Sequence, residues 1–161
     1  SWTLPDVDLN TTGDYRIRII AIDNAGNTAS VSNNPITNFS VKFPDDIAPS
    51  AQATSPANGS SIDPATTDVL GISDDAGSGV DRVRVRVQRL GVSPAQYWNG
   101  SAWTPTVALP DADLSADGTS WTLPDVDLNT TGDYRIRIIA IDNAGNTASV
   151  SNNPITNFAV D

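Results

Sequence analysis

Apolar and polar residues alternate strictly from Val80 to Leu90, in VDRVRVRVQRL. Val83, Val85 and Val87 fall on one side and Arg82, Arg84 and Arg86 on the other. This two-residue period is that of a β-strand with one face buried. Gly132–Asp142, GDYRIRIIAID, repeats the pattern, with Tyr134, Ile136, Ile138 and Ala140 on one face and Arg135 and Arg137 on the other. Shorter strands are predicted at Ser50–Ser55, Thr67–Ser73, near Tyr97, at Trp121–Leu123 and over Thr147–Val160, the last broken near Pro154. A further strand is placed near Trp103–Val107. Asn99-Gly100, between Tyr97-Trp98 and Trp103, is a hairpin signal, because both residue types tolerate the positive φ of a tight turn. Helical periodicity is nearly absent. About seven short strands in about 110 residues, separated by frequent turn signals, predict an all-β fold, an immunoglobulin-like β-sandwich.

The chain also repeats itself. Ser1–Phe39 recurs residue for residue as Ser120–Phe158, an offset of 119 residues. The copies first differ at Ser40 against Ala159, and again at Lys42 against Asp161. That offset is too long for a solenoid unit and is the size of a whole sandwich. The expected organisation is a tandem repeat: residues 1–42 as the C-terminal part of one unit, 43–49 as a linker, and 47–161 as a complete unit. Alone, residues 1–46 are expected not to fold, since Tyr15, Ile17 and Ile19 lack an opposing sheet.

Ile47–Asp161 resembles bacterial Ig-like repeats of large surface adhesins and cell-envelope proteins. The resemblance rests on Ala48-Pro49, Ser55-Pro-Ala-Asn-Gly59, Asp74-Asp-Ala-Gly-Ser-Gly-Val80, Tyr97-Trp-Asn-Gly-Ser-Ala-Trp103 and Ala140-Ile-Asp-Asn-Ala-Gly-Asn146. It implies an extracellular spacer or adhesive module, secreted or at the cell surface, and no particular ligand.

Composition narrows the chemistry. All 19 acidic residues are Asp, against eight Arg and the single Lys42, for a net charge of −10. Such a surface repels nucleic acid and anionic membranes, and no apolar run reaches the roughly 20 residues of a membrane span. With no Cys and no His, disulfides, thiolate metal sites and Ser-His or Cys-His nucleophiles are ruled out. The Asp residues sit in turn contexts rather than around an apolar cleft, so no enzyme activity is expected. An internal Lys–Asn crosslink is rejected because Lys42 becomes Asp161 in the other copy. Glycosylation sequons stand at Asn10, Asn38, Asn58, Asn99 and Asn129.

Three surface features have two readings each. In a sandwich of this topology the loops after the second and sixth strands share one end. That places Asp45, Asp46, Asp74, Asp75, Asp81, Asp142, Asn143 and Asn146 together, with Asp6 and Asp8 of the preceding unit facing the same junction. Ca²⁺ takes six to eight oxygen ligands, mainly carboxylates and carbonyls, and the arrangement is similar to cadherin joints. The other reading is that these residues only build turns. Tyr97, Trp98 and Trp103 either stack on a glycan or pin the hairpin by packing. Arg82, Arg84, Arg86, Arg135 and Arg137, with Arg89, form one basic face. That face is either solvated or a lateral contact with neighbouring copies of the repeat or an acidic polysaccharide.

Overall fold

The computed structural model describes residues 3–9, 13–30, 36–42, 44–148 and 153–161. The chain separates into two compact units, Ser1–Pro44 and Asp45–Asp161. The first contains the antiparallel pair of β1 (Gly13–Arg18) and β2 (Ile36–Val41). The second is a two-layer sandwich.

One sheet of the sandwich has four strands in the order β3 (Ser50–Ser55), β5 (Ala65–Asp74), β10 (Ser120–Leu128), β9 (Asp113–Leu114). The other has six, in the order β4 (Ser61–Ile62), β12 (Thr156–Val160), β11 (Gly132–Asp142), β6 (Val80–Arg89), β7 (Gln96–Trp98), β8 (Trp103–Thr104). This is the strand order of an immunoglobulin sandwich, with its first strand split between the two sheets. The split strand, β4, runs parallel to β12, while every other pairing in the unit is antiparallel.

Alternation decides which residues form the core. Val83, Val85 and Val87 of β6 and Tyr134, Ile136, Ile138 and Ala140 of β11 face inward and are buried. They meet Val69, Trp121, Leu123, Val126 and Leu128 of the opposite sheet. Trp121 lies across Gly71, its partner in register, where a Cβ would come within 2.1 Å of the indole. The indole Nε1 donates to the Ile72 carbonyl at 3.1 Å. Tyr134 stacks on Phe158 with ring centroids 5.4 Å apart, and its hydroxyl donates to the Thr130 carbonyl at 2.6 Å. That bond is the tyrosine corner that ties the start of this strand to the preceding loop.

Two strand expectations need correction. The strand expected near Trp103–Val107 is confined to Trp103–Thr104 and does not join the four-stranded sheet. Trp103-Thr104 instead closes the hairpin with β7, and Asp113–Leu114 fills the edge place. Between them, residues 109–112 run along the free edge of β6, where Val85 N–H donates to Pro110 O and Ala112 N–H to Val83 O. The Trp121 strand is also longer than expected and continues to Leu128. Proline cannot donate to a ladder, so Pro124 interrupts the pairing. The chain passes it as a bulge: Asp125 takes φ 52° and its N–H donates to Asp68 Oδ1.

Candidate functional site

Asp45, Asp75 and Asp142 meet at one end of the second unit, with one carboxylate oxygen of each within 4.8 Å of the others. They arrive from three places: the segment before β3, the β5–β6 loop and the end of β11. Each has a local reason to be there. In the Asp142-Asn-Ala-Gly-Asn146 loop, Asp142 Oδ1 accepts the N–H groups of Ala144 at 2.9 Å and Asn146 at 2.8 Å. Its Oδ2 accepts Asn146 Nδ2 at 2.8 Å. Short polar side chains that bond their own backbone two to four residues on favour such turns. Asp75 acts similarly, with Oδ2 accepting Gly77 N–H at 3.1 Å and Gly79 N–H at 2.7 Å.

Asp45 joins these loops from outside. Its Oδ2 accepts Ser78 N–H at 2.6 Å and its Oδ1 accepts Ile47 N–H at 3.0 Å. Asn146 Nδ2 reaches the Asp45 carbonyl at 2.9 Å, so residues 45–47 are fastened to the sandwich rather than free as linker. Hydrogen bonding from Ser78 first, then from the Ile47 N–H, holds the Asp45 carboxyl below the usual carboxylate range. Gly77 leaves the room for this contact, since a Cβ there would lie 2.2 Å from Asp45 Oδ1. Asp142 is buried, and Asp75 Oδ1 is shielded from solvent with no hydrogen-bond partner. Three negative charges thus share one place while several backbone donors point at them. Each like-charge pair at about 4 Å costs on the order of 1 kcal/mol in water and more where water is excluded.

The remaining members of the expected acidic set are placed elsewhere. Asp46 and Asp74 are exposed and lie outside the trio, and Asp81 is paired to Arg82 at 2.8 Å. The Asn143 and Asn146 amides act as donors: Asn143 Nδ2 bonds the Ser78 and Gly79 carbonyls and so clamps one loop to the other. Asp6 and Asp8 belong to the first unit and are exposed. Ser78 and Gly77 went unread in the sequence as site residues, although the glycine in Asp-Ala-Gly-Ser-Gly signals a close approach.

The hairpin aromatics pack on one another and against the core. Trp98 is buried in the core. Trp103 sits edge-on to Trp98 and tilted on Tyr134, both at 5.7 Å, and spends its Nε1 on the Asp127 carbonyl at 2.8 Å. Of the three, Trp98 offers no face to a sugar, and Tyr97 is half-buried beside it.

Arg82, Arg84, Arg86, Arg135 and Arg137 share the outer face of the six-stranded sheet, but Arg89 does not: it stands opposite the inward-facing Tyr134, two residues on from Val87 on the inner side of β6. Across β6 and β11, Arg86 stands directly opposite Arg137, Gln88 opposite Arg135 and Arg84 opposite Ile139. Arg82 pairs with Asp81, Arg84 with Asp111 at 3.5 Å, and Arg135 Nε donates to Asn157 Oδ1 at 3.1 Å.

Among known protein families, the bacterial Ig-like domain matches residues 4–38 and 50–157. No curated protein matches the chain. The match takes in both copies of the repeated segment and most of the sequence, and the strand order and tyrosine corner described above agree with it: the chain belongs to the bacterial Ig-like domain family.

Proposed function

We propose that each unit is a spacer of an extracellular tandem array in a large bacterial surface protein, giving reach and stiffness rather than catalysis. One observation carries this reading. The chain enters the complete unit at Asp45, beside Asp142 at the far end of β11. It leaves at Asp161, whose N–H bonds Ile62 O next to the Gly132–Val160 pair at the near end. The eleven residues of β11 separate these ends by roughly 33 Å at about 3.3 Å per residue. A module with its termini at opposite poles extends a chain with every copy.

Calcium at the Asp45–Asp75–Asp142 trio is the stiffening part of this proposal. The unpartnered Asp75 Oδ1 supports it, as do the oxygen-only donors that a hard cation prefers. Asp45 is the first residue of the unit, so an ion there would fix where the preceding segment joins. Small-angle scattering of a chain carrying two complete units tests both parts. The maximum dimension should exceed that of one unit by roughly 33 Å. Chelation should broaden the distance distribution, and Gly77→Ala, which evicts Asp45, should reproduce the chelated curve with calcium present. A compact two-unit particle sinks the spacer reading; an extended particle indifferent to chelator keeps the spacer and removes the ion.

A further inference from the structure

The electrostatics of the six-stranded sheet hold an anomaly. Arg86 and Arg137 are direct cross-strand partners, which brings like charges to Cβ separations of about 5 Å. Opposed like charges destabilise a sheet unless something lies between them. Aspartates outnumber basic residues by 19 to nine in this chain, yet neither of these arginines has an acidic partner among the described residues. Their flanking neighbours on the same face do better: Arg84 reaches Asp111 and the Leu109 carbonyl, and Arg135 reaches Asn157. The Nε atoms of Arg86 and Arg137 are shielded from water and have no acceptor among the described residues. A shielded charged donor without a partner is costly.

The same two residues line a cavity of about 270 Å³. Its other walls include Leu109, Ile139, Ala148 and Ile155. Leu109 is positioned by the segment that runs along the edge of β6, and Ile139 is on β11 itself. The result is a small, mainly apolar recess with two guanidinium groups in its wall. A guanidinium presents its N–H groups in a planar fork that matches a carboxylate. A cation with no hydrogen-bonding capacity gains nothing from such a wall, and a neutral apolar group leaves both donors unpaired.

We propose that Arg86 and Arg137 form a carboxylate-binding site, and that its ligand is an aspartate side chain of a second copy of this chain. The recess admits a short acidic side chain, and charge complementarity argues for self-association. From residue 43 to 161 all six basic residues lie on β6 and β11, while 12 of the 15 aspartates lie on the rest of the unit. This inference is independent of the calcium trio, which sits at the end of the unit rather than on its face.

The arginine Nε–H resonances report the site directly in nitrogen–proton NMR spectra of the 161-residue chain. Titration with sodium acetate, against sodium chloride at equal ionic strength, should shift the Arg86 and Arg137 signals together and saturably. Those of Arg82 and Arg135 should move at least threefold less. Raising protein concentration without acetate should move the same two signals in the same direction, and 1 M salt should reverse it, since the Debye length falls to about 3 Å. Arg86→Gln should abolish both responses at Arg137; Arg137→Gln, read at Arg86, covers the case in which the first variant misfolds. Equal shifts at every arginine, or none, overturn the carboxylate site. An acetate response with no dependence on protein concentration overturns the second copy as the ligand's source.

Discussion

At the residue scale, two positions show how narrow the tolerances are. Gly71 is there because the Trp121 indole occupies the space a Cβ would need, with the Gln52 carbonyl 2.4 Å away on the other side. Neither neighbour can retreat: one is a buried tryptophan and the other is backbone. Gly71→Ala should therefore cost about 1–3 kcal/mol or more, as overpacked cores do, read as a lower denaturant midpoint with the family fold retained in circular dichroism. Asp117 acts through charge rather than volume. In the turn before β10, its Oδ1 accepts the Ser115 hydroxyl at 2.7 Å and the Thr119 hydroxyl at 2.9 Å. Those bonds, with the Thr119 N–H, bring its pKa down to about 2 from 3.8. A depressed folded-state pKa means that the carboxylate form stabilises the fold. The contribution is present above pH 3.8 and is lost as pH falls through about 2. Asp117→Ala should thus lower Tm at pH 6 by a small amount, as expected at a fully exposed site, and the gap between variant and wild type should close near pH 2. A gap independent of pH would assign the effect to the turn backbone instead.

At the element scale, the chain performs its own controlled comparison. β1–β2 and β11–β12 differ only at Ser40 against Ala159 over their paired residues and adopt the same register: Gly13 pairs with Val41 as Gly132 does with Val160, and Tyr15 with Phe39 as Tyr134 does with Phe158. The Arg16–Asn38 bond at 3.2 Å repeats the Arg135–Asn157 bond. Burial differs throughout. Ile17 is 42% exposed where Ile136 is fully buried, and Leu4 is 69% exposed where Leu123 is 2%. β11 is also longer than β1 because β6 pairs along its other edge. A lone two-stranded hairpin is marginal in water. Hydrogen exchange followed by NMR should find the Arg135, Ile136 and Arg137 amides protected near the global unfolding limit and the Arg16, Ile17 and Arg18 amides exchanging orders of magnitude faster. Equal protection in the two copies would mean that the first hairpin is covered in solution.

At the scale of the whole molecule, cooperativity belongs to Asp45–Asp161. That unit holds both sheets and the buried core. A chain of residues 45–161 should unfold in one transition, with a stability in the usual range of about 5–15 kcal/mol. Its Tm should match that of the full chain within about 2 °C, a shift equivalent to well under 1 kcal/mol for a domain of this size. Residues 1–44 alone should show no cooperative transition by calorimetry. A large loss of Tm on removing 1–44 would show that the first unit shelters the second.

The division between sequence and tertiary structure can be read from the repeated segment. Whatever depends on neighbours within a few residues comes out the same in both copies. Asp23 accepts the Ala25 and Asn27 N–H groups at 2.9 and 2.8 Å, as Asp142 accepts those of Ala144 and Asn146. Asp6 and Asp125 take φ of 54° and 52°. The turn-forming aspartates, the alternating faces of β6 and β11 and the hairpin at Asn99-Gly100 were legible in the sequence, because side-chain period and turn chemistry are local; the positive φ shared by Asp6 and Asp125 was not. The acidic loops could likewise be assigned to one end, but not the trio within them. Asp23 is exposed while Asp142 is buried against Asp45 and Asp75, and that difference arises from segments about 30 and 100 residues apart meeting at one pole. The same holds for Trp98 and Trp103: residue type left both stacking on a ligand and packing open, and it is the tertiary structure that sets Trp103 between Trp98 and Tyr134. Local hydrogen bonds form wherever the sequence recurs, whereas burial needs a second sheet, and only residues 45–161 bring one.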